Sequence, residues 1–274
     1  MHGAGNDFII IDNRAPALDR ASLSALAARL CPRRIGVGAD GLMAVTAPSD
    51  PSRADFGMLF FNADGSEGEM CGNGARCIAR YGHDNGLAGD TQRVETISGT
   101  VTARRITDSL YRVRLNDPTL IDLHRPVTVD GAEYDCAYIE LGSPGLPHAV
   151  LRLDDPAALA SPSLRALGAA LRRADAFPRG ANVTFAARLD GGHLRAVTYE
   201  RGVEDFTLAC GTGCGATVAA LTLRGDLDGT GNADISMPGG TLSIDLTPAP
   251  EAHTARNIHL TGPTEVVYRG WIDT

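Results

Sequence analysis

The sequence predicts an α+β protein made of two similar lobes with mixed or antiparallel sheets. Three observations lead to this fold class. Short strand-like segments recur through the whole 274-residue chain, helical periodicity is confined to a few segments, and one glycine-rich turn occurs twice. Frequent strands with few intervening helices disfavour a regular alternation of strand and helix.

The predicted strands are short runs rich in β-branched or aromatic residues, each bounded by turn-forming residues. The same style recurs in both halves of the chain. In order, the predicted strands cover residues 8–12, 42–46, 58–61, 93–97, 101–106, 110–115, 134–141, 149–153, 182–187, 194–199, 241–246, 258–261 and 265–269.

Four segments show helix signals. Residues 22–30 have helical periodicity and are stopped by Cys31-Pro32, and residues 163–173 place leucines on one face. Two further helices are expected to begin inside glycine clusters, at about Gly72 and Gly211. These last two helices are the elements that carry chemistry.

The two glycine clusters form an internal repeat. Cys71-Gly72-Asn73-Gly74 and Cys210-Gly211-Thr212-Gly213 are each followed by an alanine-rich helical run, and about half of the chain separates them. The repeat predicts two lobes that each contribute one such turn, with a boundary between residues 117 and 146.

Composition excludes several classes of function. The net charge is −8, and all 25 basic residues are Arg. An acidic chain without a basic cluster predicts no nucleic-acid or membrane partner. Without Lys, neither a Schiff base with pyridoxal phosphate nor a Walker-type phosphate loop can form.

The six Cys are expected to be reduced thiols, because disulfide frameworks belong to small secreted chains. The first twelve residues lack the basic start and apolar run of a targeting signal, and no apolar stretch approaches the ~20 residues that span a bilayer. We therefore expect a cytoplasmic location.

Each Cys-Gly turn offers a basic sulfur beside an anion site. A cysteine at a helix N-terminus has its thiolate favoured by the helix dipole and by unpaired N–H groups. The glycines leave those N–H groups accessible to a carboxylate. If the two lobes face each other, one thiolate can remove an α-proton while the other thiol delivers a proton to the opposite face, which is two-base stereoinversion.

Other readings of the cysteines stay open at this stage. Cys31, Cys77, Cys136 and Cys214 are expected to be packing residues. The cysteine spacings do not match a zinc site, and we predict no metal. A redox disulfide between Cys71 and Cys210, or a non-catalytic amino-acid binding protein, remains an alternative to catalysis.

Several segments together carry a family resemblance. In chain order they are Met1-His2-Gly3-Ala4-Gly5-Asn6-Asp7-Phe8, residues 36–40, Phe61-Asn62-Ala63-Asp64-Gly65-Ser66, Met70-Cys71-Gly72-Asn73-Gly74-Ala75-Arg76, Glu200-Arg201-Gly202, Ala209-Cys210-Gly211-Thr212-Gly213, Gly262-Pro263 and Val267-Tyr268. They resemble the diaminopimelate epimerase family over nearly the whole chain.

The resemblance implies two pseudo-symmetric lobes, each a barrel-like sheet around a central helix, with the active site in the cleft between them. Residues 1–117 would form the N-terminal lobe and 118–262 the C-terminal lobe, while 263–274 would form a strand packed on the N-terminal lobe. The implied reaction is cofactor-independent conversion of LL- to meso-diaminopimelate, in lysine and peptidoglycan biosynthesis. A homodimer is also implied, with Tyr268 near the contact.

The resemblance further assigns roles to single residues. Cys71 and Cys210 would be the acid–base pair, assisted by His148 and Glu200. The substrate-binding residues would be Asn6, Asn62, Gly72, Asn73, Asn182, Arg201, Gly211 and Thr212.

Two residues depart from the family pattern. Leu146 stands where many members carry Asn, and Phe206 stands where Glu is frequent. An apolar residue near the far end of the substrate leaves an alternative open, namely a racemase of the same family for another amino acid such as histidine.

Overall fold

A computed structural model of the protein describes residues 1–15, 17–68, 71–189 and 192–272. The chain divides into two compact units. Unit 1 comprises Met1–Val113 and Gly262–Thr274, and unit 2 comprises Arg114–Thr261. The sequence-based lobe boundaries after residues 117 and 262 stay a prediction.

The described residues form sixteen strands and four α-helices, which confirms the α+β prediction. The helices are α1 (Arg20–Leu30), α2 (Gly72–Asp84), α3 (Ser163–Arg172) and α4 (Gly211–Arg224). The strands of unit 1 are β1 (His2–Gly3), β2 (Asn6–Asp12), β3 (Gly41–Thr46), β4 (Phe56–Asn62), β5 (Thr91–Thr96), β6 (Gly99–Arg105) and β7 (Leu110–Arg114), whose last residue already belongs to unit 2.

The strands of unit 2 follow in chain order. They are β8 (Pro118–Val129), β9 (Ala132–Leu141), β10 (Leu146–Leu153), β11 (Asn182–Arg188), β12 (Leu194–Glu200), β13 (Asp205–Thr207), β14 (Asn232–Met237), β15 (Gly240–Ala249) and β16 (Thr254–Pro263), which ends at the start of the second segment of unit 1. Short 3₁₀ helices span Pro156–Ala160 and Pro250–Ala252.

In unit 1 the sheet runs in the order β1 to β7 and has a helix on each face. Strand β3 shows why its sequence is an unbroken apolar run: Leu42 and Ala44 pack in the cluster of α1, whereas Met43 and Val45 pack in the cluster of α2. A strand buried on both faces needs apolar residues at every position rather than at alternate ones. Helix α2 contacts β1 and β2 at one end of the strand order and β6 near the other, so the sheet curves around it.

In unit 2 helix α4 is enclosed in the same way. It contacts β8, β9, β10 and β11 as well as β14 and β15, and residues on all its faces are buried. A helix that is buried all round needs small and apolar residues on every face, and α4 has Gly, Ala, Val, Thr and Leu almost throughout. Gly225 ends the helix in the left-handed conformation, with φ of 78°.

Two series of strands in the sheet repeat one pairing pattern. Along β1 to β7 the successive pairs are antiparallel, parallel, antiparallel, parallel, antiparallel and antiparallel. The order β9, β10, β11, β12, β14, β15, β16 gives the same series. In both series α1 and α3 bridge the first parallel pair, while α2 and α4 bridge the second. This internal repeat bears out the pseudo-symmetry that the two Cys-Gly turns indicate.

The structure corrects one predicted strand and adds four. Residues 265–269 do not form a strand, so the predicted C-terminal strand within 263–274 is wrong. Strand β16 ends at Pro263, which has no N–H to continue a ladder, and among the described residues that follow, Glu265 alone forms a β-bridge, with His2. The segment contacts the rest of unit 1, because Arg80 donates to the carbonyl oxygen of Thr264 at 2.6 Å. The prediction missed β1, β8, β13 and β14.

No helix in the described ranges has the length and apolar character that crossing a membrane requires.

Candidate active site

In unit 1 the first residue group of interest lies where α2 begins. Cys71 is the N-cap residue in extended conformation, and its Sγ accepts a hydrogen bond from Gly74 N at 3.3 Å. Gly72 and Asn73 form the first turn, in which the backbone N–H groups have no carbonyl partner within the helix. An added Cβ at Gly74 would stand 2.4 Å from Met43 Cε, so the end of the buried Met43 side chain would have to shift.

Asn6 at the start of β2 connects the N-terminal segment to this turn. Its Oδ1 lies 3.5 Å from Cys71 Sγ and 3.4 Å from Asn73 Nδ2. Its Nδ2 donates to Asp40 Oδ2 at 2.6 Å. The structure therefore brings together four of the predicted site residues of unit 1, namely Asn6, Cys71, Gly72 and Asn73.

Asn62 takes a different place. It ends β4, and its Nδ2 donates to Ser66 Oγ at 3.0 Å inside the following turn. The described contacts of Asn62 thus stay within that turn rather than reaching Cys71. Met70, which belongs to the cysteine motif, lies outside the described residues.

In unit 2 Cys210 occupies the matching position at the start of α4. The residue is 4% exposed, and its Sγ lies 3.7 Å from Thr212 Oγ1. Burial raises the pKa of the Cys210 thiol well above its ordinary value, and the negative charge of Glu200 raises it further, although hydrogen bonds from Thr212 and the Gly213 N–H oppose this. Cys210 is therefore a protonated thiol at neutral pH in this structure.

His148 and Asn182 lie on neighbouring strands, and Arg201 directly follows the strand β12 that pairs next to them. His148 on β10 is in register with Asn182 on β11, and the Asn182 Oδ1 accepts a hydrogen bond from the Arg201 N–H at 2.8 Å. The Arg201 guanidinium donates to the carbonyl oxygen of Arg179 at 3.0 Å. Glu200 is the last residue of β12, directly before Arg201.

His148 is fully buried, and neither ring nitrogen has a hydrogen-bond partner among the described residues. Burial lowers the pKa of His148 to about 3, with a smaller contribution from the positive charge of Arg201. The imidazole is therefore neutral at physiological pH. It can donate a hydrogen bond from one ring nitrogen and accept one at the other, but it is not a resident cation.

The two departures from the family pattern have different structural outcomes. Phe206 packs edge-on against Phe185 and Tyr199, with ring centroids 6.3 Å and 5.9 Å apart. It is a packing residue, so its presence implies nothing about a binding pocket. Leu146 begins β10 two residues before His148, half-buried and opposite Leu141.

Sequence reasoning missed Asp40 and Arg33, which tie Asn6 in place. Asp40 belongs to the glycine-rich segment 36–40 that carried the resemblance, and that motif was the only available signal. Within the described ranges, no group of three or more His, Cys, Asp or Glu side chains is arranged to hold a metal ion.

Comparison with known sequences identifies the family of the chain. The profile of the family described as "Diaminopimelate epimerase" matches residues 1–119 and 142–267. The diaminopimelate epimerase of Carboxydothermus hydrogenoformans is 36% identical over 98% of this chain and 97% of its own length. That of Alkalilimnicola ehrlichii is 39% identical, over 99% and 96%. The chain belongs to the diaminopimelate epimerase family. As a member of this family it is an isomerase, an amino-acid epimerase.

Solved structures support the fold. A phenazine biosynthesis protein of the PhzF family from Bacillus anthracis has a TM-score of 0.70 at 16% identity, covering 96% of this chain and 92% of its own. A probable proline racemase from Agrobacterium radiobacter also reaches 0.70 at 16% identity, covering 98% and 92%. At such identities these similarities show the shared fold alone.

Proposed function

We propose that this chain inverts the α-carbon of an amino acid with Cys71 and Cys210 as a two-base pair and without a cofactor, and that its substrate is LL-diaminopimelate, converted to the meso isomer. The proposal rests on one structural arrangement that occurs in both units. In both units the helix that bridges the second parallel strand pair begins at a Cys-Gly-x-Gly turn. A two-base reaction needs two such arrangements, one for each face of the α-carbon.

The chemistry uses the groups at each turn. One thiolate takes the α-proton, and the other thiol gives its proton to the opposite face, so one C–H bond breaks and one forms. The first-turn N–H groups of Gly72 and Asn73 and of Gly211 and Thr212 bind the α-carboxylate and stabilise the charge that develops on it. After each turnover the protonation states of the two thiols are exchanged.

His148 and Glu200 assist in unit 2. In one direction of the reaction Cys210 gives up its proton to the α-carbon, for which its favoured thiol form is suited. In the other direction it has to act as the base, and we assign the assistance to His148 and to Glu200, whose negative charge acts on the thiol. Asn6, Asn62, Asn182 and Arg201 would hold the polar groups of the substrate, with Arg201 suited to a carboxylate.

The experiment is α-deuterium uptake in heavy water, followed by NMR, with LL-diaminopimelate in a panel that includes histidine and smaller amino acids. Uptake with LL-diaminopimelate supports the full proposal. Uptake with histidine or another amino acid instead overturns the substrate and retains the reaction. Leu146 is the residue that favours this second candidate, because it places an apolar side chain two positions before His148.

The catalytic assignment is tested with Cys71→Ala and Cys210→Ala. Each variant should lose turnover, since each lacks one of the two proton carriers. Wild-type rates in either variant would refute the two-base scheme. Cys31→Ala is the matched control, because Cys31 is buried in the α1 cluster of unit 1.

We also propose a homodimer in the cytoplasm. Its support is a segment with apolar side chains that are largely exposed, comprising Val267, Tyr268, Trp271 and Ile272. Tyr268→Ala and Trp271→Ala should shift the species seen by sedimentation velocity from dimer to monomer. A wild-type chain that sediments as a monomer at micromolar concentration would refute the dimer.

A further inference from the structure

The carboxamide of Asn6 stands between two groups of fixed hydrogen-bonding character. A carboxylate can only accept hydrogen bonds and a guanidinium can only donate them. On one side Asp40 Oδ2 lies 2.6 Å from Asn6 Nδ2. On the other side Arg76 donates to Asn73 Oδ1 at 3.0 Å, which leaves Asn73 Nδ2 to face Asn6 Oδ1 at 3.4 Å.

The Asp40 carboxylate and the Arg76 guanidinium therefore determine the orientation of both carboxamides. Asn6 has to turn its nitrogen toward Asp40, and Asn73 has to turn its oxygen toward Arg76. The two remaining amide atoms, an oxygen and a nitrogen, then meet as acceptor and donor. Rotating the Asn6 amide by half a turn would set two oxygens against each other at Asp40 and two nitrogens against each other at Asn73.

Asp40 is itself held in place by contacts with Arg33 and Asp7. Arg33 donates to Asp40 Oδ1 at 3.0 Å and makes a two-fold contact with Asp7 at 2.6 and 2.9 Å. The backbone N–H groups of Asp7 and Asp40 each donate to the carboxylate of the other residue. Burial by itself opposes ionisation of Asp7, but Arg33 more than offsets this and holds the pKa of Asp7 below its ordinary value.

From this geometry we propose that Asp40 is a positioning residue that, braced by Arg33, turns the Asn6 carboxamide so that its oxygen faces Cys71. The inference rests on the proposed role of Cys71. Asn6 Oδ1 is an acceptor 3.5 Å from Cys71 Sγ, so it favours the thiol and disfavours the thiolate. The Gly74 N–H and the N-terminus of α2 act in the opposite direction.

The balance suits a residue that has to serve as acid in one direction and as base in the other. If the thiol were almost fully ionised, the thiolate would be available as a base, but few molecules would carry the proton that an acid has to give. The oxygen of Asn6 opposes the stabilisation of the thiolate by the helix N-terminus, and Asp40 keeps that oxygen in place. Among the residues that the structure describes, the charged or titratable groups around this cluster include Arg76 and Cys77 on α2, the Met1 amino group, and Asp7 with Arg33.

The test measures alkylation of Cys71 without substrate, so it does not depend on the proposed reaction. The intact chain is treated with iodoacetamide from pH 5 to 10, and labelling of the Cys71 peptide is followed by mass spectrometry. Background from three other cysteines is low, because burial raises the pKa of Cys31 to about 11 and that of Cys77 and Cys136 to about 12.

Asp40→Asn should lower the pH midpoint of Cys71 alkylation by about one unit, because Asn6 is then free to turn its nitrogen toward the sulfur. At a fixed pH below the midpoint the rate should rise roughly three- to fourfold rather than tenfold, since a less basic thiolate is also a weaker nucleophile. Asp55→Asn is the matched control. Asp55 also pairs with an arginine, Arg93, in unit 1, but it does not contact Asn6.

The effect of Asp40→Asn on the midpoint should depend on the presence of Asn6. Asn6→Ala alone should lower the midpoint, and Asp40→Asn in that background should cause no further change. An unchanged midpoint in Asp40→Asn, or an equal shift in the presence and absence of Asn6, would overturn the proposal. If Asp40→Asn does not fold, Arg33→Gln, which loosens Asp40 and keeps its charge, should give a smaller shift of the same sign, and no shift there would also refute it.

Discussion

Gly213→Ala is the sharpest single test of the placement of Cys210. A Cβ at position 213 would lie 3.0 Å from Thr184 Oγ1 and 3.1 Å from Cys210 Sγ. Thr184 cannot yield easily, because it is fully buried and its Oγ1 is hydrogen-bonded to Thr198 Oγ1 at 2.9 Å. The Cys210 side chain therefore has to move.

The size of the effect follows from the contact distances. Non-bonded carbon atoms prefer a separation of about 3.5–4.0 Å, so the sulfur has to shift by roughly half an ångström. A misplacement of about 1 Å at a reacting group can cost on the order of a hundredfold in rate, and we expect kcat to fall by about tenfold. Stability should change little, because the roughly 1 kcal/mol that alanine contributes over glycine in a helix offsets the tight contacts.

The assay compares kcat and the urea-unfolding midpoint of Gly213→Ala with those of Gly215→Ala. Gly215 lies in the same helix, but its added Cβ would meet the methyl groups of Leu115 and Ile258, at 3.1 and 3.3 Å, which can rotate away. Gly215→Ala should keep kcat within about twofold. A Gly213→Ala enzyme with wild-type kcat would refute the reasoning, since Cys210 would then tolerate displacement.

Three further predictions concern stability and pH. Asp19→Ala removes the side chain that accepts from Ser22 N at the start of α1 and should cost about 1 kcal/mol in urea unfolding with activity intact; an unchanged midpoint would contradict the cap. Phe206→Glu should cost roughly 1–3 kcal/mol and leave the substrate preference unchanged, because Phe206 packs on Tyr199; a new preference at full stability would show that we have misread it. Finally, the pKa of His148 is about 3 when folded against 6.5 for an exposed histidine, so the unfolded chain binds a proton in this range that the native state does not. The contribution of His148 to the free energy of unfolding should therefore fall as the pH drops from about 6.5 toward 3. His148→Gln should flatten that dependence, and equal slopes for both proteins would count against a buried neutral imidazole.

The helices that carry the cysteines were predictable because their signals are local. Each begins at the glycine that follows its cysteine, as the glycine clusters indicate, and α1 begins two residues before the predicted start. A cap and a glycine-rich turn act within a few residues, so they can be read from the sequence without knowledge of the fold.

The missed strands depend on pairing with other strands. Strand β8 contains Pro118, Pro126 and several charged residues, and among the described strands it pairs with β9, which follows it in the chain. Strand β14 has the sequence NADISM, which has low intrinsic strand propensity, and pairing with β12 and β15 determines its conformation. No local pattern could have shown either strand.

The sequence indicates the two cysteine turns of the candidate site but not the contacts that surround them. The cysteine turns were visible as a repeat, whereas the contact of Asn6 with Asp40 joins residues 34 positions apart. The charges that fix the Asn6 amide, Asp40 and Arg76, become meaningful only once the fold brings β2, β3 and α2 together.

The central claim is that two different thiols serve the two faces of one α-carbon. The most direct measurement starts from LL-diaminopimelate in heavy water and compares α-deuterium in product and in recovered substrate at low conversion. With two bases, the product should carry solvent deuterium while the recovered substrate still carries protium, because the proton is removed by one thiol and replaced by the other. Deuterium entering the recovered substrate as fast as the product would show that a single base serves both faces, and would contradict the assignment of Cys71 and Cys210.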